Sequence, residues 1–135
     1  MDEKVRTDVG GTPVEAVPSA DLFAQRVFLI AGAYGFVAVP IIYFTDAPDP
    51  HRLMYFAFAG IALVFQGVFI VISRNPGRYA PLMPLCIFEK LSFGVPAVAF
   101  WSRGQAEMNL GLGGIVDLVF AALFFIARRR MTKLA

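Results

Sequence analysis

The chain is poor in the residues that most catalytic and redox sites need. Cys86 is the only cysteine among 135 residues, so neither an intrachain disulfide nor a CxxC pair can form. His51 is the only histidine. Its acidic neighbours Asp46 and Asp49 share one short loop with it, which is too thin a ligand set to expect a metal. No Walker motif, GxSxG, HExxH or CxxCH run is present, so no familiar catalytic signature supports an enzyme. Charge is scarce as well, at 16% of residues. The basic side chains flank apolar stretches and form no patch interleaved with aromatics, so no nucleic-acid partner is expected.

What the chain has instead is apolar mass. Hydrophobic residues make up 58% and the mean hydropathy is +0.66, against about 45–50% apolar in ordinary soluble domains. The excess falls in four blocks, residues 23–44, 53–73, 79–101 and 109–127. Each is close to the roughly 20 residues that cross a bilayer as a helix. A backbone in lipid must satisfy its own hydrogen bonds, and no apolar–polar alternation suggests strands. The fold class expected is therefore all-α: an integral membrane bundle of four antiparallel transmembrane helices.

The breaks between blocks carry turn chemistry. Thr45-Asp-Ala-Pro-Asp-Pro-His51 offers Asp49 as an N-cap with Pro50 at the first helical position, and Arg74-Asn-Pro-Gly-Arg78 repeats that logic with Asn75 and Pro76. Ser102-Arg-Gly-Gln-Ala-Glu-Met108 makes the third connection. Short loops make sequence neighbours antiparallel neighbours in space. Residues 1–20, mixed in charge and rich in proline and glycine, read as a flexible tail rather than a signal peptide. Residues 131–135 read as a short C-terminal tail.

Basic residues orient the bundle. Lys4, Arg6, Arg26, Arg74, Arg78, Arg128, Arg129, Arg130 and Lys133 fall on one side, Arg52 and Arg103 on the other. Both termini are thus expected in the cytoplasm. Trp101 and Tyr43 fall near the outer interface and Tyr79 near the inner one, as aromatic belts require. Arg26 is expected to snorkel to the headgroups. The run Arg128–Arg130 reads as the positive-inside stop, attracted to anionic lipid.

Three charges remain inside the membrane. Glu89 and Lys90 sit side by side in the third block and Asp117 lies in the fourth. A charge at bilayer centre costs about 2.5–3.5 kcal/mol on insertion scales, so such residues mark packing devices or functional sites. Counting about 1.5 Å per residue from each entry point places Glu89 and Asp117 near the midplane. Lys90 can then pair with Asp117, or Glu89 can share a proton with it. Consecutive helical residues point about 100° apart, so Glu89 and Lys90 are not expected to aim at one spot. Gln66, Ser92 and Tyr34 are the further candidates for this cluster, Ser92 because it lies three residues after Glu89 on its face. Both readings stand here: a network that fixes helix packing, or a proton- or ligand-binding site.

The third block also holds Pro81, Pro84, Gly94 and Pro96. Kinks on either side of the charged pair, and a cavity beside it, are expected from them. Ala31 and Gly35 form a small-xxx-small pair, and Gly111, Gly113 and Gly114 crowd the fourth block. Both permit close helix approach, expected within the bundle rather than between copies. Cys86, in an apolar run, is expected to pack as a small hydrophobe.

Gln25-Arg-Val-Phe-Leu-Ile-Ala-Gly32, an arginine leading into a glycine-containing first span, resembles the opening of DoxX-like small membrane proteins. Gly113-Gly-Ile-Val-Asp117, followed by Phe124-Phe and a basic tail, is similar to many bacterial four-span proteins. The resemblance covers the layout of the whole chain. It implies a bacterial inner-membrane protein of a group associated with redox or quinone-linked complexes, and carries over no catalytic residue or cofactor. The function expected is that of a non-catalytic accessory or structural subunit beside other membrane subunits or further copies of itself. The alternatives are an enzyme or carrier holding a quinone, lipid or sterol-like molecule between the third and fourth spans, and a proton-coupled transporter working as an oligomer.

Overall fold

The computed structural model describes residues 19–47 and 49–134. The tail expected over residues 1–20 lies outside these except for its last two residues, which open the first helix; Lys4 and Arg6 also lie outside. Helix α1 runs over Ser19–Ala38 and passes into a 3-10 turn, Val39–Phe44. Pro40, in the first turn of that segment, has no N–H to continue the α ladder. Helix α2 spans Arg52–Arg74, α3 is a single turn at Pro76–Tyr79, and a 3-10 turn at Ala80–Leu82 leads into α4, Met83–Ser102. Helix α5 covers Met108–Leu134.

Among the described residues, four stretches are long and apolar enough to cross a membrane: Asp21–Phe44, Arg52–Arg74, Pro76–Ser102 and Met108–Leu134. Val37, Leu53, Val64 and Phe88 are each more than 60% exposed. Such a surface is stable only where the solvent is itself apolar. The chain is a multi-pass, all-α membrane protein.

The boundaries show which local signals acted. Asn75 caps α3 as expected, its Oδ1 accepting from the Arg78 amide at 3.1 Å. Asp49 does not cap α2. Residues 49–51 form a turn and α2 starts only at Arg52, with His51 at the cap position making no side-chain bond. Asp49 instead approaches Arg52 at 3.9 Å, both exposed. Pro84 does not kink the third span either. It occupies the first turn of α4, where an amide hydrogen would have no helical acceptor. The break falls at Pro81, in the 3-10 turn, and only Pro96 lies within the helix. The C-terminal tail is helical through Leu134, since Arg, Met, Lys and Leu are all good helix formers.

Helix α4 ends on a Schellman turn. Gly104 adopts φ +70°, the left-handed conformation glycine reaches without a Cβ clash. Its amide donates to the Trp101 carbonyl, and that of Gln105 to the Phe100 carbonyl, each at 2.9 Å. This tight reversal lays α5 antiparallel on α4, the most extensive helix pair in the molecule.

The α1–α2 pair is second, and α1 joins the two pairs by packing on α5. The join is aromatic. Phe28 of α1 stacks on Phe124 of α5 with ring centroids 4.1 Å apart, and Phe69 of α2 meets Phe124 edge-on at 5.1 Å. All three rings are fully buried. With Ala24, Ala31, Ile72, Met83, Cys86 and Ala127 they form a core in the half of the bundle nearer the termini. The other half is closed by small residues. A Cβ on Gly94 would lie 3.0 Å from the Gly114 carbonyl oxygen, and one on Gly114 would lie 2.8 Å from the Ala97 Cβ, so the α4 and α5 backbones touch. Ala31 and Gly35 are also buried inside the bundle.

Candidate functional site

Lys90 lies fourteen residues from Pro76 and twelve from Ser102, in the middle of its span. Its position on α4 falls on the line of buried residues Met83, Cys86, Gly94 and Ala97. That line faces the bundle interior, so the lysine points inward and is only 6% exposed. Asp117 projects from α5 at the matching height because the helices are antiparallel and held in register by the Gly94–Gly114 contact.

The ammonium donates to Asp117 Oδ1 at 3.1 Å and stands 3.5 Å from Glu89 Oε2. Its third neighbour is the Phe69 ring on α2, with the centroid 5.1 Å away, within cation–π range. One side chain thus ties together α4, α5 and α2. Glu89 and Lys90 converge, against the expectation from their 100° separation. The angle governs where the Cα–Cβ bonds point, while the four-carbon lysine stem bends back between the two carboxylates.

The triad is unequally satisfied. Asp117 receives a hydrogen bond; Glu89 Oε2 is buried and accepts none among the described residues. Two carboxylates face one ammonium, so the cluster carries one excess negative charge when all three are ionised. A proton on either carboxyl cancels it.

The other candidates lie elsewhere. Gln66 turns away from the triad. Its Nε2 donates to the Ala62 carbonyl at 2.9 Å, and its amide fills the notch above Gly35 of α1, where a Cβ would clash with it. Its Oε1 is buried without a hydrogen-bond donor among the described residues. The Ser92 hydroxyl, exposed, donates to the Glu89 backbone carbonyl at 2.7 Å, the local bond a serine makes within a helix. Tyr34 is 45% exposed with its ring 5.8 Å from that of Phe120. None of the three reaches the charged groups, because each finds a nearer partner on its own or an adjacent helix. Phe69 is the residue that sequence reasoning missed. One phenylalanine among fourteen carries no local signal of standing over an ammonium.

Two cavities open at the ends of the bundle. One of about 540 Å³ lies between the start of α1, α3 and the end of α5. The other, about 410 Å³, lies between α4 and the loop leading to α5. Neither is lined by Glu89, Lys90 or Asp117, and the cavity expected beside the charged pair is not one of them. The break expected on its entry side falls at Pro81, in the 3-10 turn, and not at Pro84, which sits in the first helical turn of α4. Cys86 is fully buried one turn before Lys90 and packs in the apolar core. Among the described residues, no three His, Cys, Asp or Glu side chains gather as a metal site.

Comparison with protein-family models, with curated proteins and with solved structures returns no match.

Proposed function

We propose that this protein is a non-catalytic accessory subunit of a larger membrane assembly, and that the Glu89–Lys90–Asp117 triad holds its helices in register. The observation that carries this reading is the enclosure of the Lys90 ammonium by groups of its own chain. A lysine built to hold a ligand head would offer its ammonium to a cavity; this one donates to Asp117 and stands against Glu89 and the Phe69 ring. The α4–α5 seam supports the same reading. A quinone or sterol-like guest between those helices would have to separate backbones already in contact at Gly94 and Gly114.

Among the described residues, Arg26, Arg74, Arg78, Arg128, Arg129, Arg130 and Lys133 lie at the end bearing the termini, and Arg52 and Arg103 at the other. This asymmetry supports cytoplasmic termini. The resemblance to DoxX-like proteins adds a bacterial inner membrane and a redox or quinone-linked complex as the setting. Extraction of the tagged chain from its native membrane in mild detergent tests the reading. A stoichiometric membrane partner is expected; migration as a lone monomer overturns it.

A second reading rests on Glu89 Oε2, buried with no hydrogen bond among the described residues. In it the triad exchanges one proton and the chain serves proton movement in an oligomer. Infrared difference spectra across a pH step separate the two, since a carboxyl band that titrates in the wild type and vanishes in Glu89→Gln belongs only to the second.

A further inference from the structure

We propose that the cavity at the end bearing the C-terminus binds the headgroup of a phospholipid with a primary amine, phosphoethanolamine, with its phosphate on Arg128 and its ammonium on Asp21. The inference is independent of the accessory-subunit reading.

Depth places the cavity at the membrane surface. Arg128 is eleven residues beyond Asp117 on one continuous helix, or about 16 Å along its axis. With Asp117 near the midplane, that is the edge of a hydrocarbon core about 30 Å thick. The volume, about 540 Å³, lies within the range of small-ligand sites, roughly 300–1,000 Å³.

The lining has two characters. Pro81, Met131 and Leu134 give an apolar wall, suited to the glycerol backbone and the first acyl carbons. Asp21 and Arg128 give opposite charges on α1 and α5, and among the described residues no ion pair joins them. The neighbouring guanidiniums are engaged elsewhere: that of Arg130 stands over the Phe23 ring at 4.4 Å and that of Arg129 over Phe125 at 5.8 Å. Arg128 is therefore the guanidinium that faces the cavity, and a guanidinium matches phosphate with two parallel hydrogen bonds.

Asp21 selects among headgroups. An anionic lipid such as phosphatidylglycerol has no cation to set against it. A primary ammonium can donate to the carboxylate, whereas a trimethylammonium has no N–H and needs an aromatic box. Among the described residues no aromatic side chain lines this cavity. The chemistry that fits both charges is thus phosphate plus primary amine.

The test is native mass spectrometry of the full chain with equimolar dioleoyl phosphatidylethanolamine, phosphatidylglycerol and phosphatidylcholine. The wild type should retain the ethanolamine lipid about tenfold over each of the others, the effect of one charge-assisted hydrogen bond. Asp21→Asn should remove that preference while keeping lipid binding, and Arg128→Gln should lower retention of all three. Arg129→Gln, with the same charge change outside the cavity, should behave as wild type. Equal retention of the three lipids by the wild type, unaltered selectivity in Asp21→Asn, or an equal loss in Arg129→Gln overturns the proposal. Circular dichroism of each variant separates loss of the site from loss of the fold.

Discussion

Lys90 of α4 and Asp117 of α5 meet at 3.1 Å in the middle of the bundle, with Phe69 of α2 closing the far side of the ammonium. The pair joins the two helices of the tightest interface and fixes their relative height. It lies just beyond the aromatic core of Phe28, Phe69 and Phe124, where bulky packing gives way to glycine-mediated contact.

Removing the lysine should cost more than removing the whole triad. Lys90→Met leaves two buried carboxylates without a counter-charge, at a cost of about 3–5 kcal/mol. The triple variant Glu89→Gln, Lys90→Met, Asp117→Asn leaves no uncompensated charge and should recover most of that loss. Thermal unfolding in detergent micelles compares them. A Lys90→Met variant as stable as the wild type would show that the triad holds nothing together.

The glycines of the α4–α5 seam should differ sharply from Gly67. At Gly114 a Cβ would meet Ala97 Cβ at 2.8 Å and the Gly94 carbonyl oxygen at 3.1 Å, so Gly114→Ala must push the helices apart. Gly111→Ala would collide with the Trp101 ring. Overpacking of this kind costs about 1–3 kcal/mol. A Cβ on Gly67 meets nothing within 4 Å, and Gly67→Ala should gain up to about 1 kcal/mol from helix propensity. Melting temperatures of the three variants in one detergent check the order.

Gly35 and Gln66 should behave as one unit. Gly35→Ala drives a Cβ into the Gln66 amide and should destabilise the α1–α2 pair. Shortening the partner with Gln66→Ala makes room for it. The double variant should therefore lose less than the two single losses added, with a coupling of about 0.5–3 kcal/mol. Additive losses would mean that the two residues do not share a contact.

Thiol chemistry reads both burial and orientation. Cys86 is fully buried and should stay unmodified by maleimide in the folded protein, reacting only after denaturation. In a Cys86→Ala background, Gln105→Cys should label from outside intact spheroplasts and Thr132→Cys only after permeabilisation. Reversed labelling would invert the proposed topology.

The four spans were legible because bilayer crossing needs about twenty apolar residues and polar breaks, and both are properties of the local sequence. Asn75 with Pro76 was legible as a cap for the same reason. Asp49 with Pro50 carried an equal signal and failed, since the loop that holds it turns before α2 begins. Of the two prolines on the entry side of the third span, Pro81 marks the break and Pro84 does not, because sequence does not say where the first helical turn falls.

The site divides in the same way. That Glu89, Lys90 and Asp117 needed partners inside the membrane followed from the free energy of burying a charge, which depends on residue type and depth alone. Which partners they found was decided by tertiary structure. Gly94 against Gly114 sets the height of Asp117, the lysine stem bends between two carboxylates, and Phe69 arrives from a third helix. Gln66, Ser92 and Tyr34, polar but uncharged, were turned aside by nearer groups. Depth is a one-dimensional quantity that a sequence records; the azimuth of each helix, and hence who meets whom, exists only once the helices pack.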